Sequence, residues 1–308
     1  MATMRAVRLH AFGGPDVLKI EETPRPEPKS GEVLIRVHGA GVNPVDWKIR
    51  EGYTNHKLPL VPDWDVAGVI EKVGPGVTSL KPKDEVYGYF DLSRNGAYAD
   101  YVAVPAEEVA LKPKSLDFTK AAAVPLAALT AWQGLFDVGG LKPGQKVLIH
   151  AAAGGVGSFA VQFAKWKGAH VIGTASGRNV QFVRELGADE VIDYTKTAFE
   201  EAVDNVDLVF DTMGGETQKR SWQVLKKGGI LVSILGQPPQ KDADAWGVRQ
   251  ASFVVKPDAA ELGQIADLID SGDVKPVVET VLPLSDARKA QELSQTGHTR
   301  GKIVLEVA

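Results

Sequence analysis

The chain contains no cysteine among its 308 residues. That excludes disulfides, thiolate nucleophiles and every zinc site built on sulfur. Histidine is sparse as well: His10, His38, His56, His150, His170 and His298 lie far apart, none with H-x3-H spacing. No metal centre is expected from such a set. Positive charge is not in excess, since 35 Lys and Arg stand against 39 Asp and Glu, a formal net charge of −4. A basic face for nucleic acid is therefore not expected. Long apolar runs are missing too. The longest, "AAAVPLAALTAWQGLF" (121–136), is broken by Pro125, Thr130 and Gln133 and falls short of the ~20 residues of a bilayer span. The opening "MATMRAVRLHAFGG" is charged at once and has no apolar leader segment, so the cytoplasm is the expected compartment.

What is present is ordinary for a folded soluble protein: 44% hydrophobic and 24% charged residues, in a chain long enough for two cores. Residues 1–122 hold short runs rich in branched residues, such as "MRAVRL", "EVLIRVHGAGV" and "VAGVIEKVG". Turn formers separate them, as in "GGPD" and "GPGVTSLKPKD". This spacing predicts a compact β-barrel or sandwich. From residue 123 the rhythm changes. "KVLIH", "AHVIGTA", "EVIDY", "VDLVFDTMGG", "ILVSILG" and "SFVVK" read as strands, with amphipathic helices between most of them and "DAAELGQIADLIDSG" closing the set. Such alternation predicts a doubly wound parallel sheet over 123–271. The tail, 272–308, returns to strand-like runs and is expected to complete the first domain.

The stretch "HAAAGGVGSFAVQFAK" (150–165) follows a strand and opens a helix. It matches a dinucleotide-binding G-x-G-x-x-G with Ala152 in place of the first glycine and Gly154 and Gly157 at the other two positions. Ala152 is acceptable if its φ stays negative. The end of the next strand selects the nucleotide. An NAD site needs an acid there for the ribose 2′-hydroxyl. No acid occurs between Ala169 and Gln181; "TASGRN" offers Ser176 and Arg178 instead. Both suit a 2′-phosphate, and at ~1.5–3 kcal/mol per charge-assisted bond they would favour NADPH a hundredfold or more. NADPH is the expected cofactor.

"GQKVLIHAAAGGVGSFAVQFAK" resembles the signature of the quinone oxidoreductase (zeta-crystallin-like) branch of medium-chain dehydrogenases/reductases. "FGGPDVLKIEE", "GVNPVDWKIREG", "DVAGVIEKVGPGV" and "HTRGKIVLEV" are similar to its other landmarks. The resemblance covers essentially the whole chain. It implies a GroES-like β-barrel catalytic domain and a Rossmann cofactor domain. Zinc-containing relatives carry a Cys-x-x-Asp and a Gly-His-Glu where Asn43-Pro44-Val45-Asp46 and Asp63-Trp64-Asp65 stand here. Zinc-assisted alcohol chemistry is thereby disfavoured. Zinc-independent hydride transfer to a small quinone or α,β-unsaturated carbonyl is expected. By resemblance the cofactor is lined by Asn43, Thr130, Gly154, Gly155, Val156, Gly157, Ser176 and Arg178. Tyr194, Gly236, Phe253, Val255, Gly301 and Lys302 complete that set.

Catalytic candidates come from "GVNPVDWKIREGYTN". Asn43 offers an amide donor, Lys48 a positive charge, and Tyr53 a hydroxyl for the carbonyl or the proton. Asp46 is expected to orient neighbours, an ordinary Asp being ionised at pH 7. Trp47 and Trp64 could wall an apolar slot or simply pack in the core. A homodimer is implied by the family. The alternatives are an enoyl-thioester reductase and a non-catalytic NADPH-binding redox sensor.

Overall fold

The computed structural model describes residues 2–308. Fifteen strands occur among them in chain order. The first seven are β1 (Thr3–Leu9), β2 (Leu18–Pro24), β3 (Glu32–Val42), β4 (Asp65–Val73), β5 (Glu85–Tyr89), β6 (Tyr101–Pro105) and β7 (Val109–Leu111). Then come β8 (Lys146–Ile149), β9 (His170–Ala175), β10 (Glu190–Asp193), β11 (Val206–Asp211), β12 (Leu225–Ser233) and β13 (Arg249–Ser252). The last two are β14 (Val278–Pro283) and β15 (Lys302–Glu306). The chain divides into two compact units: 1–129 with 256–272 and 276–308, and 130–255 with 273–275.

In the first unit β1 and β2 form an antiparallel hairpin. A larger seven-stranded sheet runs in the order β14-β15-β3-β4-β5-β7, with β6 also paired to β3. All its pairings are antiparallel except β14 with β15. The tail thus completes the first unit, because β15 lies beside β3. β3 is buried at nearly every position, as expected of a strand packed on both faces. Gly41 on this strand has no room for a side chain: a Cβ would lie 2.1 Å from the Ala122 carbonyl and 3.0 Å from Asp65. That close approach brings Asp65 beside the end of β3.

The sequence places "DAAELGQIADLIDSG" in the second domain. Its helix, Ala259–Ser271, groups instead with the first unit, where the Tyr87 hydroxyl donates to the Leu262 carbonyl at 2.7 Å. Asp270 there accepts the Lys114 and Ser115 N–H groups. The helix is amphipathic in either setting, so periodicity does not choose between them.

The second unit is a six-stranded, all-parallel sheet in the order β10-β9-β8-β11-β12-β13. Order reverses between β8 and β11, and a crevice outside the carboxyl ends of strands at such a reversal is where ligands bind in this architecture. The central strands bury an apolar stretch: Val147, Leu148, Ile149, Val209, Phe210, Leu231 and Val232 are completely buried. Each such side chain contributes about 1.5–3 kcal/mol. The helix Gly155–Trp166 packs Phe159, Ala160, Val161, Phe163 and Ala164 inward and stops before Gly168, whose φ of +81° ends it.

Candidate functional site

Several expected site residues follow the carboxyl ends of the second unit's strands: Gly154–Gly157 after β8, Ser176 and Arg178 after β9, Tyr194 after β10 and Gly236 after β12. The chain leaves β8 at His150 and turns through Ala151–Gly154 into the helix Gly155–Trp166. Gly154 is the N-cap, extended at φ −80° and ψ 179°, and no side chain caps the helix. Its first N–H groups, at Gly155, Val156 and Gly157, have no intrahelical acceptor and add the positive end of the helix dipole. Gly157 must be glycine, since a Cβ would lie 2.2 Å from the Ala151 carbonyl. Ala152 does not take a positive φ; Ala151 does, at +47°. The departure from the glycine pattern is therefore harmless at Ala152, and the strain sits one residue earlier. Beside the turn, buried Asp211 accepts the N–H groups of Met213 and Gly214 and the side chains of Gln218 and Ser233. This fixes the loop that follows β11.

Ser176 directly follows β9 and starts the short 3-10 turn Gly177–Asn179 that contains Arg178. The Asn179 amide donates to Ser176 Oγ at 3.3 Å, and the Asn179 N–H to the Ser176 carbonyl at 2.8 Å. Tyr194 follows β10 with its side chain exposed and its N–H on the Ala175 carbonyl. Topology adds a residue that the local sequence conceals. Asp193, at the end of β10, lies where a Cβ on Gly177 would be 2.7 Å from its carboxylate. Its charge is met by the Thr195 hydroxyl and Lys196, and the Thr195 bond foremost holds its pKa below the usual range. Gly236, just beyond β12, has φ +124° and open space at its Cβ position. Phe253 and Val255 lie past the end of β13, in the connection rather than in the strand expected for "SFVVK".

In the first unit the helix Pro44–Arg50 follows β3 directly. Asp46 Oδ2 accepts the Asn43 N–H at 2.7 Å, the return half of a capping box. The Asn43 side chain is wholly engaged: its amide donates to the Gly41 carbonyl at 2.7 Å and to Asp65 Oδ2 at 2.8 Å. Its oxygen accepts from Lys302. Asn43 thus has no amide proton left for a substrate oxygen, which corrects its expected role as a donor. Lys302, 4% exposed, directs its ammonium to the Val42 carbonyl at 2.9 Å, to Asn43 and to Asp65 at 3.4 Å. An ammonium has three protons, so none remains for a cofactor phosphate. Gly301 has φ +70°, and a Cβ there would meet the Val277 carbonyl at 2.4 Å.

Asp46 is completely buried, and burial pushes its carboxyl up to about 8 against the Asn43 N–H and the Lys302 charge. It is not the ordinary ionised Asp of the sequence reading. Asp65 is also raised by burial, with Lys302 and Asn43 opposing that rise. Lys48 and Tyr53 share the outer side of this segment. Lys48 Nζ lies 5.6 Å from the Trp47 ring centroid, and Tyr53 meets Trp47 edge-on at 6.4 Å. Tyr53 is 70% exposed, so its hydroxyl is open to a ligand. Trp64 is fully buried and its indole donates to the Arg94 carbonyl, which makes it core rather than wall. Thr130 is buried near the end of the helix Pro125–Trp132 and is the first residue of the second unit. Two surface cavities of about 440 and 430 Å³ flank the Glu32–Arg94 pair, and none of the expected site residues lines either.

Comparison with known proteins now decides the family. Residues 29–114 match the alcohol dehydrogenase GroES-like domain and residues 186–305 the zinc-binding dehydrogenase domain. The 2-methylene-furan-3-one reductase of Solanum lycopersicum is 40% identical, over 98% of this chain and 79% of that protein. The chloroplastic NADPH-dependent alkenal/one oxidoreductase of Arabidopsis thaliana is 41% identical over the same shares, 98% and 79%. The solved quinone oxidoreductase of Coxiella burnetii superposes with a TM-score of 0.94 at 35% identity, over 100% of both chains. The chain belongs to the quinone oxidoreductase branch of the medium-chain dehydrogenase/reductase superfamily. It has that superfamily's GroES-like and Rossmann parts.

One matching domain of this family is described by zinc, and the residues here do not fit that metal. At the ligand positions Asn43 spends its oxygen on an ammonium, and Trp64 has no ligating atom. A dinucleotide does fit. The turn Gly154–Gly157 presents uncapped N–H groups without side-chain obstruction, and Ser176 and Arg178 stand at the end of the adjacent strand. No helix among the described residues is long and apolar enough to cross a membrane.

Proposed function

We propose that this protein is an NADPH-dependent oxidoreductase that reduces α,β-unsaturated carbonyls or quinones without a metal. The observation that carries the reading is the uncapped glycine turn at the strand-order reversal, with Ser176 and Arg178 on the next strand end. When bound, NADPH supplies the hydride. Gly155, Val156 and Gly157 would hold its pyrophosphate by N–H groups, and Ser176 and Arg178 its 2′-phosphate, with Tyr194 beside the adenosine. Thr130, Gly236, Phe253 and Val255 would line its remaining length, the last three largely through backbone.

A conjugated acceptor spreads negative charge onto its own oxygen, so the protein need supply only donors there. Tyr53 and Lys48 are those donors. Tyr53 presents its hydroxyl to the carbonyl oxygen, and Lys48 places a positive charge nearby. Asn43 and Asp46 act one step back, holding the start of the helix that carries Lys48. The names of the tomato and Arabidopsis relatives support the substrate class. We propose also that the protein works as a cytoplasmic homodimer. The family resemblance supports the dimer, and β13 is an edge strand with one side of its ladder open.

The test is to mix the protein with NADPH or NADH and a panel of enones, enals, enoyl thioesters and quinones, following nicotinamide absorbance. Oxidation of NADPH by enones or quinones supports the proposal. Oxidation by enoyl thioesters alone, or binding without turnover, would replace it with a thioester reductase or a sensor.

A further inference from the structure

A buried polar relay lies beneath the glycine turn. His150 is 1% exposed, and both ring nitrogens meet hydroxyls: Nε2 is 2.8 Å from Ser221 Oγ, Nδ1 3.2 Å from Thr174 Oγ1. Counting donors fixes the directions. Ser221 gives its proton to the Thr217 carbonyl at 2.7 Å, so toward His150 it accepts, and Nε2 carries the ring proton. Nδ1 is then an acceptor for the Thr174 hydroxyl. The Thr174 oxygen in turn accepts the Ala151 N–H at 3.3 Å. Every donor in this chain points the same way, from the turn toward the helix Gly215–Ser221, so its bonds reinforce one another. Burial keeps the imidazole neutral by lowering its pKa to about 4, and Phe199 closes one side edge-on at 4.7 Å.

The relay ends on the one strained residue of the turn. Ala151 holds φ +47°, a conformation that costs an L-residue roughly 1–2 kcal/mol and persists only where its surroundings impose it. Thr174 holds the peptides on both sides of Ala151, since its carbonyl also accepts the Ala152 N–H at 3.0 Å. The Ala151 carbonyl in turn accepts the Gly154 N–H at 2.9 Å and faces Gly157. The setting of Ala151 therefore governs where the Gly154–Gly157 N–H groups aim.

We propose that Thr174, His150 and Ser221 are positioning residues for the dinucleotide: they hold Ala151 in its left-handed conformation and so aim the turn at the pyrophosphate. The inference rests on the NADPH reading above. Pyrophosphate is common to NADPH and NADH, so loss of the relay weakens both alike. A change at Ser176 or Arg178 alters their ratio instead.

Thr174→Val keeps the side chain's shape and removes its hydroxyl; Thr174→Ser restores it. Dissociation constants for NADPH and NADH are read by nicotinamide fluorescence, and the His150 tautomer by nitrogen NMR. Loss of the relay's link to the turn should raise both constants about tenfold in Thr174→Val, with their ratio unchanged. Thr174→Ser should return both close to wild type, and wild-type His150 should carry its proton on Nε2. Should Thr174→Val not fold, Ser221→Ala, which cuts the far end, should move both constants the same way by about threefold. Wild-type constants in the variant that folds, a change confined to NADPH, or a proton on Nδ1 would overturn the inference while leaving the cofactor reading intact. Failure of the wild-type protein to bind NADPH would overturn both.

Discussion

Lys302 donates to the side-chain oxygen of Asn43, and that bond limits what each residue can do. The ammonium is also 3.4 Å from Asp65, whose carboxylate accepts from Asn43 and from the Leu126 N–H. Asp65 is thus neutralised and nearly saturated at the foot of the helix that carries Lys48. On the proposed reading these residues support the groups that meet the substrate and do not themselves touch it.

Replacing Lys302 with Met leaves the buried Asp65 carboxylate without its cation. Breaking such a pair costs about 3–5 kcal/mol. Lys302→Met should therefore lower the denaturation midpoint strongly, and in the material that remains folded the NADPH dissociation constant should change little. A large loss of NADPH affinity at unchanged stability would assign the ammonium to the cofactor after all.

Ser176→Asp combined with Arg178→Ala replaces the proposed 2′-phosphate donors with a charge that repels a phosphate. The ratio of NADPH to NADH kcat/KM should fall by about a hundredfold, two charge-assisted bonds being lost. Steady-state kinetics with both cofactors reads this directly, and an unchanged ratio would remove the assignment.

Tyr53→Phe keeps the ring edge-on to Trp47 and deletes the exposed hydroxyl. Its loss should lower kcat by roughly tenfold or more, the scale of a catalytic proton or hydrogen bond, with NADPH affinity unaltered. Wild-type kcat would make Tyr53 only a wall of the substrate slot.

Asp46 gives a pH signature of definite sign. Its folded pKa, raised by burial to about 8 from the usual 3.8, means that the folded state holds its proton where the unfolded state has lost it. Its stabilising contribution is full below about pH 4 and declines as pH rises toward 8, by at most about 1.4 kcal/mol per pH unit. His150 acts in the opposite sense: with its pKa lowered by burial to about 4 from 6.5, its contribution is full above 6.5 and is lost as pH falls toward 4. Denaturant titrations of wild type and Asp46→Asn across this range should show the variant losing less stability between pH 4 and 8. Parallel curves would mean that Asp46 does not change its protonation on folding.

Much of this arrangement could be read from residue order. β3 coincides with "EVLIRVHGAGV", and the glycine turn, its helix and the strand that leads into Ser176 stand where periodicity put them, because these signals are local. The seven-residue helix Pro44–Arg50 went unread: it is too short for a period, and its reciprocal cap at Asp46 is visible only in three dimensions. The stretch "GETQKRSWQVLKKGG" has helical composition throughout, yet only part of it is helix. The helix stops at Ser221, and β12 starts at Leu225, where Leu225 pairs with Val206. Tertiary pairing there overrides local preference. Asp193 beside Gly177 and Lys302 on Asn43, the latter 259 residues apart, are products of topology. Lys302 was recognisable as a site residue only by resemblance, which named it for the cofactor and not for Asn43.

The central claim, reduction of a conjugated acceptor by NADPH, is tested most directly by isotope tracing. The protein is incubated with an enone and NADPH carrying deuterium at the transferable nicotinamide position, and the product is examined by mass spectrometry and NMR. The account predicts a saturated ketone with one deuterium on the former β-carbon. An allylic alcohol with deuterium on the carbonyl carbon, or no oxidation of the bound NADPH by any enone or quinone, would contradict it.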